Sequence, residues 1–331
     1  MQRNMSWTVI GSLAASVGLA FAADAAEPAS ALRTRHFRLS YAVTVSGLPA
    51  GKSAKLWMPV PPNSLEQKVF VAEQQLPGPS QQGQEKKYAN DILFVEAAAD
   101  ASGQLTARTV YDVTRLEARA SRPVMMMHDP LLALFLKPDA RVPIDGKPLT
   151  LLAGKNLPMD QLQLGRTLYD IVNSHMRYSK EGTGWGLGDA VWACDSRYGN
   201  CSDFHSLFIS LSRSQGVPAK FEIGFPLPPD RGRGDIAGYH CWAWFKPREH
   251  GWVPVDISEA DKNPSMTEYY FGNLTENRVT FSIGRDLVLQ PPQAGPPLNF
   301  FVTPYVEVAG KQHPAEKVQL KLQYEDVAAQ P

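Results

Sequence analysis

Three separated residues of the sequence, Cys201, His240 and Asp256, have the side chains that nucleophilic acyl chemistry requires. A thiolate can attack a carbonyl carbon, an imidazole can take and return a proton, and a carboxylate can fix the tautomer and orientation of the imidazole. For His240 or Asp256 alone, a buried hydrogen-bonded pair without chemistry is the simpler interpretation. The pair together with a cysteine at a helix start favours catalysis.

The apolar spacing after Cys201 predicts an amphipathic helix. Its apolar positions are offset by three, four and seven residues: Phe204, Leu207, Phe208 and Leu211. Asn200 is a good N-cap, and Asp203 stands where a capping box has its acid. Cys201 then lies in the first turn, where free N–H groups and the positive end of the helix dipole favour a thiolate. The alternative is that Cys201 is only a small buried hydrophobe on the apolar stripe.

The segment 239–257 predicts a hairpin that brings His240 and Asp256 together. Its two strands alternate in sequence and are joined by a short loop. Pairing Phe245 with Gly251 places His240 directly opposite Asp256, with Cβ atoms about 4.5 to 5.5 Å apart. Because both faces are apolar, we expect a buried hairpin whose two polar residues bond to each other.

These elements resemble the bacterial transglutaminase-like superfamily, which has the core of papain-like cysteine proteases. The matching elements are Gly199-Asn200-Cys201 with the following helix to Gly216-Val217-Pro218-Ala219, then Gly238-Tyr239-His240-Cys241-Trp242, then Gly251-Trp252-Val253-Pro254-Val255-Asp256. The resemblance covers about residues 160–261. It implies that Cys201 is the nucleophile, His240 the base and Asp256 the orienting acid.

Two details depart from the pattern of that family or lack a match in it. Cys241 stands where relatives often have a small residue, and no residue clearly matches the upstream side chain that stabilises the oxyanion. The backbone N–H of Cys201 is then the default oxyanion donor. Asn200, Trp192 and Trp242 are the further candidates for the oxyanion site or the substrate cleft.

The alternation pattern predicts an α+β protein with an N-terminal β-sandwich-like domain, and the resemblance implies that a transglutaminase-like or papain-like core follows it. In that core the helix carrying the cysteine packs on an antiparallel sheet. The predicted division is a signal peptide at 1–25, a β-rich domain at 26–140, the catalytic core at 141–282 and a C-terminal β extension at 283–331. The extension either adds strands to the core sheet or docks on the N-terminal domain.

Two polar stretches are predicted to form loops. The segment Pro77 to Lys87 is predicted to separate strands of the N-terminal domain. The longer segment Pro226 to Gly238, rich in Pro, Gly and charge, is predicted to form a lid over the site, since long loops in compact domains are usually functional.

Charge and the N-terminal pattern bear on compartment and partners. The 33 basic residues equal the 33 acidic ones, which argues against a nucleic-acid partner. Arg3, the apolar run Trp7 to Phe21 and the small residues up to Ala25 have the order of a secretory signal. We expect a periplasmic or secreted protein with no membrane anchor beyond the cleaved signal; the sequence indicates no oligomeric state.

The cysteines leave two pairings open. Either Cys194 and Cys241 form a disulfide and Cys201 stays free, or all three are free thiols. A zinc site is less favoured because the spacings lack the paired zinc-binding type; its members would be Cys194, Cys201, His205, His240 and Cys241. Adjacent residues such as Met125-Met126-Met127 cannot converge on one ion and indicate packing. We expect no metal and no cofactor.

The leading hypothesis is an exported thiol enzyme that acts on amide bonds of a protein or peptide substrate through an acyl-enzyme intermediate. Hydrolysis is favoured over transfer to an amine, since transfer requires a site built to exclude water. The alternative from another class is a catalytically silent module that binds peptides in the same cleft.

Overall fold

Strict alternation in the first long strand shows how sequence builds the N-terminal sheets. The computed structural model describes residues 31–120 and 130–328. Within the strand Thr34–Val45, every second side chain from Phe37 to Val45 is buried. One face of the strand therefore packs into the core.

The described residues form eighteen strands and four α-helices. The strands are β1 (Thr34–Val45), β2 (Ser53–Pro59), β3 (Gln67–Gln75), β4 (Ser80–Gln84), β5 (Asp91–Ala98), β6 (Leu105–Leu116), β7 (Ala118–Arg119), β8 (Arg177–Tyr178), β9 (Tyr198–Gly199), β10 (Ala219–Pro226), β11 (Arg233–Asp235), β12 (His240–Phe245), β13 (Val253–Val255), β14 (Asn273–Leu274), β15 (Arg278–Ile283), β16 (Tyr305–Val308), β17 (Lys311–Gln312) and β18 (Val318–Asp326). The α-helices are α1 (Gln161–His175), α2 (Ala190–Ser196), α3 (Cys201–Ser214) and α4 (Ile257–Lys262), and short 3-10 helices span Leu134–Leu136, Lys147–Leu152, Pro264–Met266 and Ala315–Lys317. None of these helices is long and apolar enough to cross a bilayer.

Two five-stranded antiparallel sheets form the N-terminal part. Their strand orders are β11-β18-β1-β6-β3 and β17-β16-β2-β5-β4. Leu39 of the first sheet and Leu56 and Val95 of the second belong to one buried apolar cluster. The predicted α+β class with an N-terminal sheet domain is confirmed.

The C-terminal strands join these two sheets. In β18, Leu322 pairs with Tyr41 of β1, and in β16, Tyr305 pairs with Trp57 of β2. The sequence left two placements open for the C-terminal extension. Its strands β16, β17 and β18 dock on the N-terminal domain.

The core sheet has the order β13-β12-β10-β15, and α3 packs against it. Although its sequence is amphipathic, α3 is buried around its whole circumference from Cys201 to Arg213. Its polar side carries internal partners, since Ser206 accepts from Arg285 and Ser210 donates to the carbonyl of Pro143. The cysteine-bearing helix is thus the central element of the core.

Both predicted polar loops contain strands. The first holds β4, which pairs with β5. The prediction that the second loop is a lid is wrong, because its strand β11 pairs with β18 at the edge of the first N-terminal sheet. Arg35 fastens the same segment by donating to the carbonyls of Pro228 and Asp230. The predicted signal peptide and Met125-Met126-Met127 lie outside the described residues.

Candidate active site

The start of α3 is fixed by its own side chains. The carboxamide of Asn200 accepts the N–H of Ser202 at 2.9 Å, and the carboxylate of Asp203 accepts the N–H of Asn200 at 2.9 Å. The predicted capping box is present. Cys201 is therefore the first helical residue, where the backbone N–H groups have no partner within the helix.

Asp203 also holds the loop that precedes α2. Its two oxygens accept the N–H groups of Gly186 at 2.7 Å and Gly188 at 2.9 Å. Burial raises the pKa of Asp203 to about 6, although its backbone hydrogen bonds act in the opposite direction. A side chain at Gly199 would overlap the Asp203 carboxylate, so a glycine is required just before the helix.

The hairpin joins His240 to Asp256, but in a different register from the predicted one. Phe245 pairs with Val253 instead of Gly251, because the connecting loop is longer. A shift of two residues preserves the side-chain faces. Asp256 follows the end of β13 and caps α4, and there its Oδ2 lies 2.8 Å from His240 Nε2.

Asp256 is buried and its two oxygens are fully engaged. Oδ2 also accepts from Arg278 Nη1 at 3.0 Å, and Oδ1 accepts from the Ser258 hydroxyl at 3.1 Å and the Glu259 N–H at 3.2 Å. Burial alone would raise the pKa of Asp256, but the charges of His240 and Arg278 hold it well below its usual range. Asp256 is therefore a carboxylate at neutral pH.

Arg278 is the residue of this group that sequence reasoning missed. It lies on β15, is buried, and places its guanidinium 4.7 Å from the ring centre of Trp242. No local pattern marks it, because its partners come from the hairpin and α4.

Cys201 completes the group. Since Asp256 uses Nε2, Nδ1 is the ring nitrogen left for the thiol, and Cys201 is one of the groups that raise the pKa of His240. The pKa of Cys201 falls well below its usual value. The largest cause is the hydrogen bond with Cys241; burial acts in the opposite direction, and His240 lowers the pKa further. Burial would lower the pKa of His240, but Asp256 and Cys201 raise it to about 10. The arrangement favours a thiolate–imidazolium pair at neutral pH.

The possible zinc set also includes Cys194, which lies apart from the other members, and His205. Cys194, Cys201 and Cys241 are all free thiols, and Cys194 Sγ lies 3.7 Å from the carbonyl oxygen of Lys147. His205 accepts the N–H of Ile257 at Nε2, 3.1 Å away, and burial lowers the pKa of this imidazole to about 4. His205 is a neutral residue of the helix packed beside the site.

The candidate residues for the oxyanion site and the cleft differ in the partners that their side chains already have. Trp242 is excluded as a donor, because its N–H is already given to Glu222 Oε2 at 2.8 Å. Trp192 packs against Tyr198, with ring centres 5.3 Å apart. Asn200 donates through Nδ2 to the Tyr239 hydroxyl at 3.3 Å.

Tyr239 is a further residue that the sequence did not single out. Burial and the nearby charge of Cys201 raise the pKa of its hydroxyl to about 12. The hydroxyl therefore stays protonated and can donate a hydrogen bond beside the thiolate. The only sequence signal was its position next to His240.

Residues 153–257 match the model of the transglutaminase-like superfamily. These residues form a transglutaminase-like domain. The match agrees with the predicted extent of about 160–261 and contains all three residues of the Cys201–His240–Asp256 group. The predicted resemblance is confirmed.

Individual proteins similar to this chain add limited detail. A Haemophilus influenzae protein described as uncharacterized is 27% identical over 210 residues, which are 53% of this chain and 57% of the relative. A solved structure from Cytophaga hutchinsonii, described as a cysteine protease candidate, has a TM-score of 0.54 at 13% identity and covers 90% of this chain and 93% of its own. At that identity the likeness supports the fold alone.

The periplasmic domain of TgpA from Pseudomonas aeruginosa is also similar, with a TM-score of 0.35 and 15% identity. That match covers 66% of this chain and 91% of the TgpA domain. A TM-score this low does not bear on the function of the chain.

Proposed function

We propose that the protein is a thiol-dependent enzyme that cleaves amide bonds of a protein or peptide substrate through an acyl-enzyme intermediate. The observation that carries the proposal is the bond from His240 Nε2 to Asp256, which turns the other ring nitrogen toward a cysteine at a helix start. A buried histidine–aspartate pair that served only stability would have no need of the thiol.

Each residue has one role in the proposed reaction. The Cys201 thiolate attacks the carbonyl carbon, and the imidazolium of His240 gives its Nδ1 proton to the leaving amine. This step leaves a thioester on Cys201. Asp256 keeps the imidazole in the required tautomer throughout, and Arg278 holds Asp256 in place.

The oxyanion of the tetrahedral intermediate needs hydrogen-bond donors near the thiol. The backbone N–H of Cys201 is one, because first-turn N–H groups have no helical acceptor. The hydroxyl of Tyr239 is the second donor that we propose, and Asn200 orients it through the bond from Nδ2.

Water is the acceptor that we favour for resolving the thioester. Transfer to an amine needs a dry channel, for which the hairpin tryptophans were the candidates. The indole N–H of Trp242 is bonded to Glu222, and Lys220 Nζ lies 4.9 Å and 5.0 Å from the rings of Trp244 and Trp252. These tryptophans serve packing. Anchoring of the 226–238 segment on the N-terminal sheet removes the proposed lid as well.

Acylation by p-nitrophenyl acetate tests the proposal without a known substrate. We expect a burst of p-nitrophenolate and an acetyl thioester located on Cys201 by mass spectrometry. Cys201→Ala and His240→Ala should abolish the burst, whereas Cys194→Ala, a matched change of a buried thiol outside the group, should retain it. Acylation of wild type no faster than that of His240→Ala would indicate a silent binding module instead.

A second assay distinguishes hydrolysis from transfer. The protein is offered a glutamine-containing peptide together with a labelled primary amine. Release of free acid is the expected result, and efficient incorporation of the amine would contradict it.

We also propose that the enzyme acts after export, on the basis of the charged, apolar and small-residue order at its N-terminus. N-terminal sequencing of the protein made in cells tests this: the mature chain should begin after Ala25. A chain that keeps its first residues would contradict export by this route.

A further inference from the structure

A second thiol lies against the proposed nucleophile and has no part in the proposed reaction. Cys241 follows His240 on β12 and is completely buried, and the thiols of Cys241 and Cys201 shift each other's pKa. Cys241 Sγ also lies 3.8 Å from the Ser202 hydroxyl and 3.7 Å from His205 Nδ1.

These surroundings differ from those of an ordinary buried cysteine. A structural cysteine usually packs as a small hydrophobe, whereas the Cys241 sulfur contacts the hydroxyl of Ser202, the residue after Cys201, and the imidazole of His205. Cys194 offers the comparison within the same chain, since its sulfur contacts the backbone carbonyl of Lys147. Only the Cys201–Cys241 pair joins a reactive sulfur to a second one.

We propose that Cys241 is a resolving cysteine, which forms a reversible disulfide with Cys201 when the site meets hydrogen peroxide and so switches the enzyme off. This inference rests on the proposed function, because it takes Cys201 as the reactive nucleophile. The modification site is the Cys201–Cys241 pair, and its co-reactant is a small hydroperoxide.

The chemistry balances in two steps. The Cys201 thiolate attacks one peroxide oxygen, so that an S–O bond forms and the O–O bond breaks. Sulfur is oxidised to a sulfenic acid, and the hydroxide released takes the His240 proton to become water. The Cys241 sulfur then attacks the sulfenic sulfur, an S–S bond forms, and the hydroxyl leaves with the Cys241 proton as a second water.

The two thiols are suited to these different parts. Burial raises the pKa of Cys241 well above its usual value, while that of Cys201 is lowered. Only the thiolate reacts readily with peroxide, so Cys201 is oxidised first and Cys241 remains available to resolve it. A thiol reductant reverses the disulfide, whereas further oxidation to a sulfinic acid is not reversed in this way.

The test treats the folded, full mature protein with hydrogen peroxide and maps the cysteines by mass spectrometry. Wild type and Cys194→Ala should yield a Cys201–Cys241 linked peptide, and a thiol reductant should restore nearly all of the Cys201 alkylation by iodoacetamide. Cys241→Ser, which keeps a hydroxyl donor, and Cys241→Ala should accumulate sulfinic or sulfonic acid at Cys201 and recover little. Thermal unfolding of both variants checks that they fold.

Sulfinic or sulfonic acid at Cys201 of wild type, without the linked peptide, would overturn the proposal. So would equal recovery of wild type and both Cys241 variants. The linkage is read separately from acylation by p-nitrophenyl acetate. A linked peptide from a protein that p-nitrophenyl acetate does not acylate would contradict the proposed function alone. Acylation of Cys201 without a linked peptide would contradict the resolving role of Cys241 alone.

Discussion

The start of α3 and the end of the β12–β13 hairpin each hold a buried aspartate, but by different means. Asp203 is held by backbone N–H groups of Gly186, Gly188 and Asn200. Asp256 is held by the imidazole of His240 and the guanidinium of Arg278. Burial therefore dominates at Asp203, whose pKa rises to about 6, and charge dominates at Asp256, whose pKa is lowered.

The two acids respond to pH in opposite directions. Because the folded pKa of Asp203 is raised, its contribution to folding is complete below the ordinary value of 3.8 and is lost as pH rises through about 6. Because the folded pKa of Asp256 is lowered, its contribution is present above that ordinary value and is lost as pH falls. Asp203 therefore shapes the loop that precedes α2, whereas Asp256 binds the cationic side chains of His240 and Arg278.

The same substitution at the two acids gives the sharpest contrast, and Asp256→Asn has the larger effect. It should reduce acylation by p-nitrophenyl acetate by about 10³- to 10⁴-fold, because the amide permits the wrong imidazole tautomer. Since it also leaves Arg278 buried without its carboxylate, we expect a loss of unfolding free energy of roughly 3 kcal/mol. Urea denaturation measures that loss; a destabilised variant with normal acylation per folded molecule would make the pair structural.

Arg278→Gln tests whether the guanidinium orients Asp256. We expect acylation per folded molecule to fall roughly tenfold, as for the loss of one hydrogen bond to a charged group. Arg278→Lys, which keeps the charge, should lose less. Equal acylation by wild type and Arg278→Gln would confine Arg278 to packing on Trp242.

Asp203→Asn should have the smallest effect on the chemistry and act mainly on stability. An amide cannot accept all the N–H groups that the carboxylate accepts, so we expect the unfolding free energy to fall by about 2 kcal/mol. Acylation per folded molecule should change less than in Arg278→Gln. A fall as large as that of Asp256→Asn, without loss of stability, would remove the distinction between the two acids.

The contrast also explains how much could be predicted from the sequence. The capping box, the central helix and the alternating strands are local patterns, and the structure contains them. The His240–Asp256 contact was predicted from the wrong register and still forms, because the error of two residues kept both side chains on one face.

Residues that depend on distant pairing were not predictable in this way. Arg278 reaches Asp256 from β15, and part of the 226–238 segment forms the edge strand β11 because β18 returns from the C-terminus to pair with it. Neither partner has a fixed offset in sequence. The contacts of Cys241 with Ser202 and His205 were equally hidden, although its position beside His240 was visible.

We propose that His240 holds Cys201 as a thiolate, and the pH dependence of Cys201 alkylation by iodoacetamide measures this. Because the pKa of Cys201 is lowered and that of His240 is raised to about 10, the rate should be nearly constant between about pH 6 and pH 8. In His240→Ala, which loses the imidazolium, the rate should instead rise with pH across that range. A wild-type rate that rises tenfold per pH unit across that range, as for a free thiol, would show that Cys201 is not held as a thiolate.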